Sequence, residues 1–365
     1  MHNANVTVTA CKDEPIVWNA VNWQSVNKQV NNLRRRIYRA SVEGNIKLVR
    51  NLQKLMLKSR SNRLSAIRRV TQINQGRRSP GVDKVVVNTD KDRNLLIKKL
   101  ADNDLSSVKP IRRVYIPKKG GKSRPLGLPT ILDRCKQAVV KSALEPYWEA
   151  KFEGSSYGFR PGRSAQDAIQ KIFCIARPGK SRPWALDADI KGAFDNIDHD
   201  FLLEVLGNFP ARQWIEAWLK SGVMENCRFS ETTSGTPQGG IVSPLLANIA
   251  LHGMEEYLKI SYLSSGSINP KSEYALVRYA DDFVVFAKSK DSCIQAKEKV
   301  SYWLESRGLE LSETKTQIRH IEEGFDFLGF NIRHYKNRSK KLGVTILCKP
   351  SKASVKAFKK QMILE

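Results

Sequence analysis

Residues 278–283 read Arg278-Tyr279-Ala280-Asp281-Asp282-Phe283, and they lie between two short runs of β-branched and aromatic residues. The run before them is Tyr274-Ala275-Leu276-Val277, and the run after them is Val284-Val285-Phe286-Ala287. Runs of this composition are typical of strands, so the stretch predicts a tight hairpin with two adjacent carboxylates at its tip. Because the strands are apolar throughout, we expect their sheet to be covered on one side and used on the other. Surface turns also favour Asp, so an ordinary turn stays open as an alternative.

A second apolar strand that ends in acids reads Leu186-Asp187-Ala188-Asp189-Ile190-Lys191-Gly192-Ala193-Phe194-Asp195. Carboxylates from two strands repel each other when they lie side by side, so a fold keeps such a cluster only where a cation neutralises it. Hard oxygen ligands suit Mg²⁺. Two such ions, about 3.5–4 Å apart, can activate an attacking oxygen and stabilise a leaving one. Together the two stretches predict a metal site for nucleotidyl transfer.

Both stretches resemble the catalytic motifs of reverse transcriptases, namely Tyr279-Ala280-Asp281-Asp282 and the run from Asp189 to Phe194. The order and wording of the flanking motifs resemble the proteins encoded by bacterial and organellar group II introns, from roughly Trp18 to the end of the chain. The resemblance implies an α/β (α+β) fold, a right-hand polymerase with fingers and palm, in which helices back an antiparallel palm sheet. A basic helical N-terminal extension would precede it.

The same resemblance implies an RNA-directed DNA polymerase that uses two Mg²⁺ ions, for which Mn²⁺ could substitute. Asp189 would bridge both metals, with the Ile190 carbonyl within reach of one of them. Asp281 would be the second bridging ligand or a ligand of one metal alone, and Asp282 would have a weaker or indirect role. Asp187 lies on the same strand face as Asp189 and could also approach the metals, but the motif match favours Asp189.

Other residues are assigned to the reacting nucleotide. Lys315 could donate a proton to the leaving pyrophosphate, or it could be an ordinary surface lysine. Phe194 would lie beneath the sugar and exclude a 2′-hydroxyl, unless it is a core aromatic. Gln238 would contact nucleotide or template, while Gly239 would let the backbone come close. Both belong to a glycine turn that leads into a predicted helix beginning near Ser243.

A basic hairpin is predicted from Arg113–Pro117 and Ser123–Leu128, with Lys118, Lys119 and Lys122 in its turn. Several cations around one tip can clamp a triphosphate, and an arginine can bind two phosphate oxygens at once. The hairpin resembles the fingers hairpin of reverse transcriptases. We therefore assign Lys122 and Arg124 to the incoming nucleotide.

Further segments are assigned to template, primer or RNA. The loop 74–83 resembles one that lies over the template, the segment 156–164 resembles a second fingers motif, and 325–332 resembles the hairpin that positions the primer end. A surface turn and a small aromatic core are the alternative readings of the first two segments. The residues assigned in this way are Arg77, Arg78, Arg160, Arg163, Gly239, Phe327, Leu328 and Gly329.

Charge points to the same class of partner. The 365 residues carry a net charge of +26, and nucleic acid is the natural counter-charge because neutralised phosphates release counterions. Between Lys28 and Arg78 there are fifteen Lys and Arg against one acid, Glu43. A face of one sign this long repels itself without a partner, so we expect RNA contact there. Apolar residues at helical spacing predict two antiparallel helices beneath it.

Several classes are excluded by the same reading. No apolar run of about 18 residues could span a bilayer, and Met1 to Ala10 lack the features of a secretory signal. The six cysteines form no Cys-x-x-Cys pair, which argues against zinc sites and disulfides. We expect a cytoplasmic, nucleoid-associated protein, or an organellar one in a eukaryote. Its expected partners are intron RNA as template, a DNA primer or target, and dNTPs.

The expected organisation is a disordered tail over 1–14, the basic extension over 15–95, and a reverse transcriptase domain over 96–335. Fingers would cover 96–183 and palm 184–335. Residues 336–365 would begin a thumb or maturase region, cut short because the chain is a fragment or its gene is truncated. Two other functions stay open: an RNA-binding splicing factor (maturase), and a related retron or phage-defence reverse transcriptase.

Overall fold

The computed structural model describes residues 15–102, 104–117, 123–236, 239–339 and 342–364. Its helices are α1 Trp23–Val42, α2 Ile46–Lys58, α3 Arg60–Arg68, α4 Asp90–Lys99, α5 Ile131–Glu149, α6 Ala165–Ile175, α7 Ala193–Asn196, α8 His199–Leu206, α9 Arg212–Leu219, α10 Ser243–Ala250, α11 Met254–Tyr257, α12 Lys290–Glu305 and α13 Lys352–Leu364. Its strands are β1 Ile111–Pro117, β2 Ser123–Leu128, β3 Trp184–Asp189, β4 Val223–Glu225, β5 Arg228–Ser230, β6 Tyr274–Tyr279, β7 Asp282–Ala287, β8 Gln317–His320, β9 Phe325–Phe327, β10 Phe330–Lys336 and β11 Val344–Pro350.

Two compact units make up the chain. The first comprises the chain up to Tyr147 together with Ser221–Ser230, and the second comprises Trp148–Lys220 and Glu231–Glu365. The predicted boundary between fingers and palm at residue 184 is not where these units divide, and the domain assignment stays a prediction. The expected tail over 1–14 lies outside the described residues. Among the residues described, no helix is both long and apolar enough to cross a bilayer.

The predicted basic helices are present in the first unit. Asn22 and Asn45 cap α1 and α2 by accepting hydrogen bonds from backbone N–H groups, as expected at helix N-termini. Apolar residues at helical spacing line their buried faces, and α1 packs on α2 and on α3, a helix that the sequence reading did not identify. The buried apolar residues of α1 and α2 are Val26, Val30, Ile37, Ala40, Val49, Leu52 and Met56.

The predicted basic hairpin is also present in this unit. Strands β1 and β2 pair antiparallel from Arg112↔Leu128 to Pro117↔Ser123. They belong to a four-stranded sheet of order β2-β1-β4-β5, in which β1 and β4 run parallel, a pairing that local patterns do not announce. The predicted basic turn, Lys118 to Lys122, lies outside the described residues.

The central sheet of the second unit has the strand order β6-β7-β3-β8, and every pairing in it is antiparallel. One face packs on α6 and on a second sheet, while α12 packs against β3 and β7. All residues of β6 and β7 except Tyr279 and Asp282 are buried. The expectation of a sheet covered on one side only is therefore wrong, because the strands are apolar on both faces and both faces are covered.

The second sheet has the order β11-β10-β9 and contains the predicted 325–332 hairpin, with Phe327 paired to Phe330. The basic composition of Lys349 to Lys360 predicts a helix, but Lys349 lies in β11 and the helix begins only at Lys352. The sequence predicts a helix over Asp291 to Leu309 with Ile294, Val300, Trp303 and Leu304 facing inward. Helix α12 buries the last three of these, whereas Ile294 is exposed. Five cysteines are described and all are free thiols.

Candidate active site

The turn between β6 and β7 consists of two residues. Tyr279 pairs with Asp282, so Ala280 and Asp281 alone form the turn. Of the two, only Ala280 has a positive φ, at 58°, a position where such hairpins favour glycine. Of the two adjacent acids, Asp281 and Asp282, only Asp281 lies in the turn. Asp282 is the first residue of β7, which corrects the prediction that both carboxylates lie at the tip.

The acids of the two motif stretches meet in the sheet. Asp189, the last residue of β3, lies directly opposite Asp282 in the antiparallel register, so both side chains project from the same face. Burial, a hydrogen bond with Asp189 and the negative charge of Asp281 raise the pKa of Asp282 to about 7. The carboxylates are therefore close enough for each to make ionisation of the next unfavourable.

Backbone hydrogen bonds hold this end of the sheet. Ile190 N–H donates to the Asp281 carbonyl at 3.3 Å, which ties the turn to the end of β3. Ser312 N–H donates to the Asp189 carbonyl at 2.8 Å, and Lys191 N–H donates to the Glu310 carbonyl at 2.9 Å. Three separated stretches of the chain therefore fix one another around the acids. The assignment of the Ile190 carbonyl as a metal ligand stays a prediction.

Lys315 lies at this cluster and is not an isolated surface lysine. Its Nζ donates to Asp189 Oδ2 at 2.6 Å, although the lysine side chain is 63% exposed. That hydrogen bond raises the pKa of Lys315 above its ordinary value. The ammonium therefore stays protonated and offsets the negative charge of Asp189. Its predicted role as proton donor stays a prediction, and the raised pKa makes that transfer less favourable.

The acids provide the type of ligand atom, carboxylate oxygen, that a divalent cation such as Mg²⁺ prefers. Asp189 and Asp282 supply carboxylate oxygens on one face, and the raised pKa of Asp282 reflects an excess of negative charge that a cation would relieve. Within the described residues there is no group of three or more His, Cys, Asp or Glu side chains arranged to hold a metal. The donor set therefore fits a metal that completes its shell with non-protein ligands, as Mg²⁺ usually does.

Asp187 has an environment of its own. It pairs with Val284 on the same sheet face as Asp189. Burial raises the pKa of Asp187 to about 7, although Arg319 acts to lower it, and Asp326 and Asp189 act to raise it further. The choice of Asp189 over Asp187 as the metal ligand therefore still depends on the motif match and stays a prediction.

Phe194 lies in the short helix α7 and is mostly buried, at 7% exposure. Its ring meets the exposed ring of Phe159 edge to face, with 6.0 Å between the centroids. The ring is therefore part of the core on one side and lies next to an accessible aromatic on the other. The predicted contact with a nucleotide sugar stays a prediction.

The assignment of Arg160 to RNA needs correction. Its side chain is buried, and its guanidinium donates to the Glu149 carboxylate at 2.6 Å and to the backbone carbonyls of Glu153 and Ser156. With these donors engaged inside the protein, Arg160 has a structural role. Arg163 is half-buried and donates to the Gly154 carbonyl at 2.7 Å, and its assignment to RNA stays a prediction.

The other assigned residues are distributed over both units. Phe327 is buried at the end of β9, and Leu328 and Gly329 form the following turn. In the first unit, Arg77 and Arg78 are exposed at the end of a 3₁₀ turn. Gly239 is exposed, and Arg124 pairs with Ile116 in β2. Gln238 and Lys122 lie outside the described residues. The assignment of this group stays a prediction.

Sequence reasoning missed three residues behind the turn. Arg278 is fully buried, Asn248 of α10 donates through Nδ2 to the Gly158 carbonyl, and Gly158 packs against the backbone of Ala280. An arginine inside an otherwise apolar strand was a visible signal of a buried polar partner. The partners themselves lie 30 residues from Arg278 and further, and no local pattern links them.

Comparison with known proteins agrees with the geometry. Residues 116–332 match the family "Reverse transcriptase (RNA-dependent DNA polymerase)", and residues 18–100 match "N-terminal domain of reverse transcriptase". A telomerase structure from Candida tropicalis overlaps 66% of this chain and 55% of its own, with a TM-score of 0.49 and 16% identity. That structural likeness is too distant to bear on function.

Two curated relatives are more similar. Protein YkfC of Escherichia coli is 34% identical over 309 residues, which cover 75% of this chain and 81% of YkfC. Group II intron-encoded protein LtrA of Lactococcus lactis is 36% identical over 283 residues, which cover 61% of this chain. The chain spans about half the length of LtrA, at 47%. Since the polymerase model matches more than half of the chain, the chain belongs to the reverse transcriptase family, the RNA-dependent DNA polymerases.

Proposed function

We propose that this chain is the RNA-directed DNA polymerase of a group II intron, which copies intron RNA into DNA by nucleotidyl transfer. The observation that carries the proposal is the direct pairing of Asp189 with Asp282, with Asp281 in the adjoining turn. Membership of the reverse transcriptase family gives that cluster its chemistry. The intron origin is supported by similarity to LtrA, a group II intron-encoded protein.

The proposed cofactors are two Mg²⁺ ions, held by Asp189 and Asp281 with support from Asp282. When bound, such ions lower the pKa of an attacking hydroxyl and stabilise the leaving oxygen. The chain itself would hold the reacting groups in place. Asp189 and Asp281 would do so from the ends of neighbouring backbone segments, and Phe194 would lie beneath the sugar. Lys315 supplies a fixed positive charge beside Asp189.

The proposed substrates are a primer, an RNA template and dNTPs. Arg124, in the strand after the basic turn, is our candidate for the triphosphate together with Lys122. For RNA, the support is the one-sign charge between Lys28 and Arg78, most of it exposed on α1 to α3. Phosphate neutralisation on this surface would make binding strongly dependent on salt.

A second candidate function is splicing assistance through RNA binding alone. A relative of 27% identity in Euglena gracilis is a "Maturase-like protein 1", and it matches 85% of this chain. Such a role would need the basic surface and not the acids. The two functions can coexist in one chain, so the test must separate them.

Primer extension on poly(rA)/oligo(dT) with Mg²⁺, compared with a DNA template, tests the polymerase assignment. We expect Asp281→Asn to lower extension at least about 1,000-fold, because several kcal/mol of charge stabilisation is lost with the carboxylate. Asp291→Asn is the matched control, since Asp291 is an exposed acid in the first turn of α12. It should extend primers like the unchanged chain.

The same variants separate the two candidate functions. A splicing factor would keep RNA binding and intron splicing in Asp281→Asn, because binding does not need the acids. Undiminished extension by Asp281→Asn, with an unchanged melting temperature, would refute the polymerase assignment. Loss of splicing without loss of RNA affinity would show that splicing here depends on the catalytic acids.

A further inference from the structure

Behind the catalytic turn lies a buried arginine whose side chain contacts the turn itself. Arg278, in β6, is fully buried and projects from the sheet face opposite to Asp189 and Asp282. Its Nη1 donates to the Ala280 carbonyl at 3.2 Å and to Asn248 Oδ1 at 3.0 Å. One guanidinium nitrogen therefore joins the turn to helix α10.

Further contacts link Asn248 to Gly158 and Gly158 back to the turn, so that these residues form a closed ring. Asn248 Nδ2 donates to the Gly158 carbonyl at 2.8 Å. Gly158 lies so close to the turn that a Cβ there would come within 2.4 Å of the Ala280 nitrogen. The neighbouring residue Tyr157 also contributes, because its N–H donates to the Arg278 carbonyl at 2.9 Å. The turn is thus enclosed by α10 on one side and by the segment around Gly158 on the other.

The two peptide groups that flank Asp281 are both held. The Ala280 carbonyl accepts from Arg278, and the Asp281 carbonyl accepts from Ile190 N–H at 3.3 Å. Ala280 has the positive φ of 58° that alanine rarely adopts, so the local chain does not favour this conformation by itself. Contacts from outside the turn must therefore maintain it.

The buried position of Arg278 makes its positive charge energetically unfavourable. Glu153 is the carboxylate that most strongly stabilises its charged form, and Glu153 Oε1 also accepts from the N–H groups of Gly253 and Glu255. Arg278 Nε and Nη2 and Glu153 Oε2 find no hydrogen-bond partner among the described residues. A buried charge with incomplete pairing lowers stability, and real proteins tolerate such local violations at functional sites.

We propose that Arg278 and Asn248 are positioning residues of the polymerase site, which hold the Ala280–Asp281 peptide so that Asp281 is presented beside the Asp189–Asp282 pair. The pair acts through the backbone of the turn and touches neither substrate nor metal. The inference rests on the proposed polymerase function, and it adds the residues that set the geometry of its acids.

Hydrogen exchange and steady-state kinetics test the proposal together. Arg278→Lys keeps the charge but cannot reach both the Ala280 carbonyl and Asn248 in the same geometry. We expect amide exchange in the turn and at Ile190 to rise at least about 10-fold, because the local opening free energy falls. We expect kcat to fall at least about 10-fold while KM for the primer–template stays within about twofold.

Arg307→Lys is the matched control. Arg307 is a half-buried arginine of the second unit that donates to the Ala250 carbonyl at 3.0 Å, at the end of α10, and stacks on Trp303. Arg307→Lys should change amide exchange around Ala250. It should leave amide exchange in the turn and kcat/KM unaltered. Equal exchange in the turn for the two lysine variants, or a kcat loss that follows melting temperature in both, would overturn the proposal.

Asn248 provides a second, independent pair of variants. Asn248→Asp keeps the oxygen that accepts from Arg278 but loses the Nδ2 donor to the Gly158 carbonyl. It should therefore keep more of kcat than Asn248→Leu, which loses both contacts and should behave like Arg278→Lys. Equal activity of these two variants would contradict the proposal. If the unchanged chain extends no primer, the proposed function fails instead, and the exchange experiment still decides whether Arg278 holds the turn.

Discussion

Two hairpins of the second unit each reverse the chain in two residues, yet they obtain this by different means. In the β9–β10 hairpin, Leu328 and Gly329 both have positive φ, at 48° and 82°, which is the type I′ pattern. Glycine supplies one of these conformations without steric cost. In the β6–β7 hairpin, Ala280 alone has a positive φ and no glycine is present in the turn.

The difference shows where each turn gets its stability. The β9–β10 turn follows from its own sequence, with supporting hydrogen bonds to the Gly329 carbonyl from Ser351 N–H and Ser354 Oγ, both at 2.9 Å. The β6–β7 turn depends on Arg278, Asn248 and Gly158, which lie outside it. The turn that carries Asp281 is thus held by its surroundings, whereas the other turn is defined locally.

Among the substitutions that test this difference between the two turns, Gly158→Ala should have the largest effect. The new Cβ would lie 2.4 Å from the Ala280 nitrogen and 2.9 Å from the Tyr279 carbonyl carbon, and neither backbone atom can move without displacing the turn. We expect a loss of about 1–3 kcal/mol in the free energy of unfolding from overpacking. Primer extension should fall at least about 100-fold, because a small misplacement of reacting groups is costly. Urea denaturation and primer extension measure the two effects.

Gly154→Ala is the control for Gly158→Ala. It lies in the same segment, its φ is not positive, and a Cβ there meets no atom within 4 Å. Stability and extension should both stay near those of the unchanged chain. Wild-type activity in Gly158→Ala would mean that the segment around 158 can move away, and that the turn is less constrained than its contacts indicate.

Acid should destabilise the second unit through His252. Its ring lies against Trp148 and Phe152, and burial together with Arg278, Lys151, Arg160 and Arg307 lowers its pKa from 6.5 to about 4. Because the folded-state pKa is below the unfolded value, the unfolded chain takes up the proton first as the pH falls. The stability due to neutral His252 is therefore complete above pH 6.5 and is lost progressively towards pH 4.

The expected loss is about 2 kcal/mol over that range, after allowance for partial exposure of the ring to solvent. Denaturant unfolding at a series of pH values measures it, and His252→Gln removes the titrating group. The unfolding free energy of that variant should fall less steeply between pH 6.5 and 4. Parallel curves for the two proteins would show that His252 is protonated freely in the folded state.

The smallest effects should come from exchanging alanine and glycine between the two turns. Gly329→Ala should lose about 1 kcal/mol, because φ at this position is 82° and alanine is strained there. Ala280→Gly should change stability by less than about 0.5 kcal/mol, because relief of strain and the greater freedom of the unfolded chain nearly cancel. Thermal and denaturant melts of both variants measure the difference. A loss above about 2 kcal/mol for Ala280→Gly would mean that the alanine methyl group, not the backbone, determines this position.

Much of the local structure was predictable because short-range physics determines it. The hairpin at Asp281, the basic hairpin of the first unit and the helices α1 and α2 follow from residue spacing and capping alone. The reading was wrong for Lys349, because β-pairing with Asn331 extends the strand into a segment of helical composition. It was also wrong for Arg160, since an arginine in a loop gives no sign of a carboxylate partner at Glu149.

By itself the sequence determined the reverse transcriptase family and the candidate acids, because acids at the ends of apolar strands and a one-sign basic segment are visible without coordinates. Only the tertiary structure decided how the acids are held. The register that places Asp189 opposite Asp282, the ammonium of Lys315 on Asp189, and the ring of Arg278, Asn248 and Gly158 all join residues remote in the chain. Packing of whole elements creates such contacts, and no local preference of the chain encodes them.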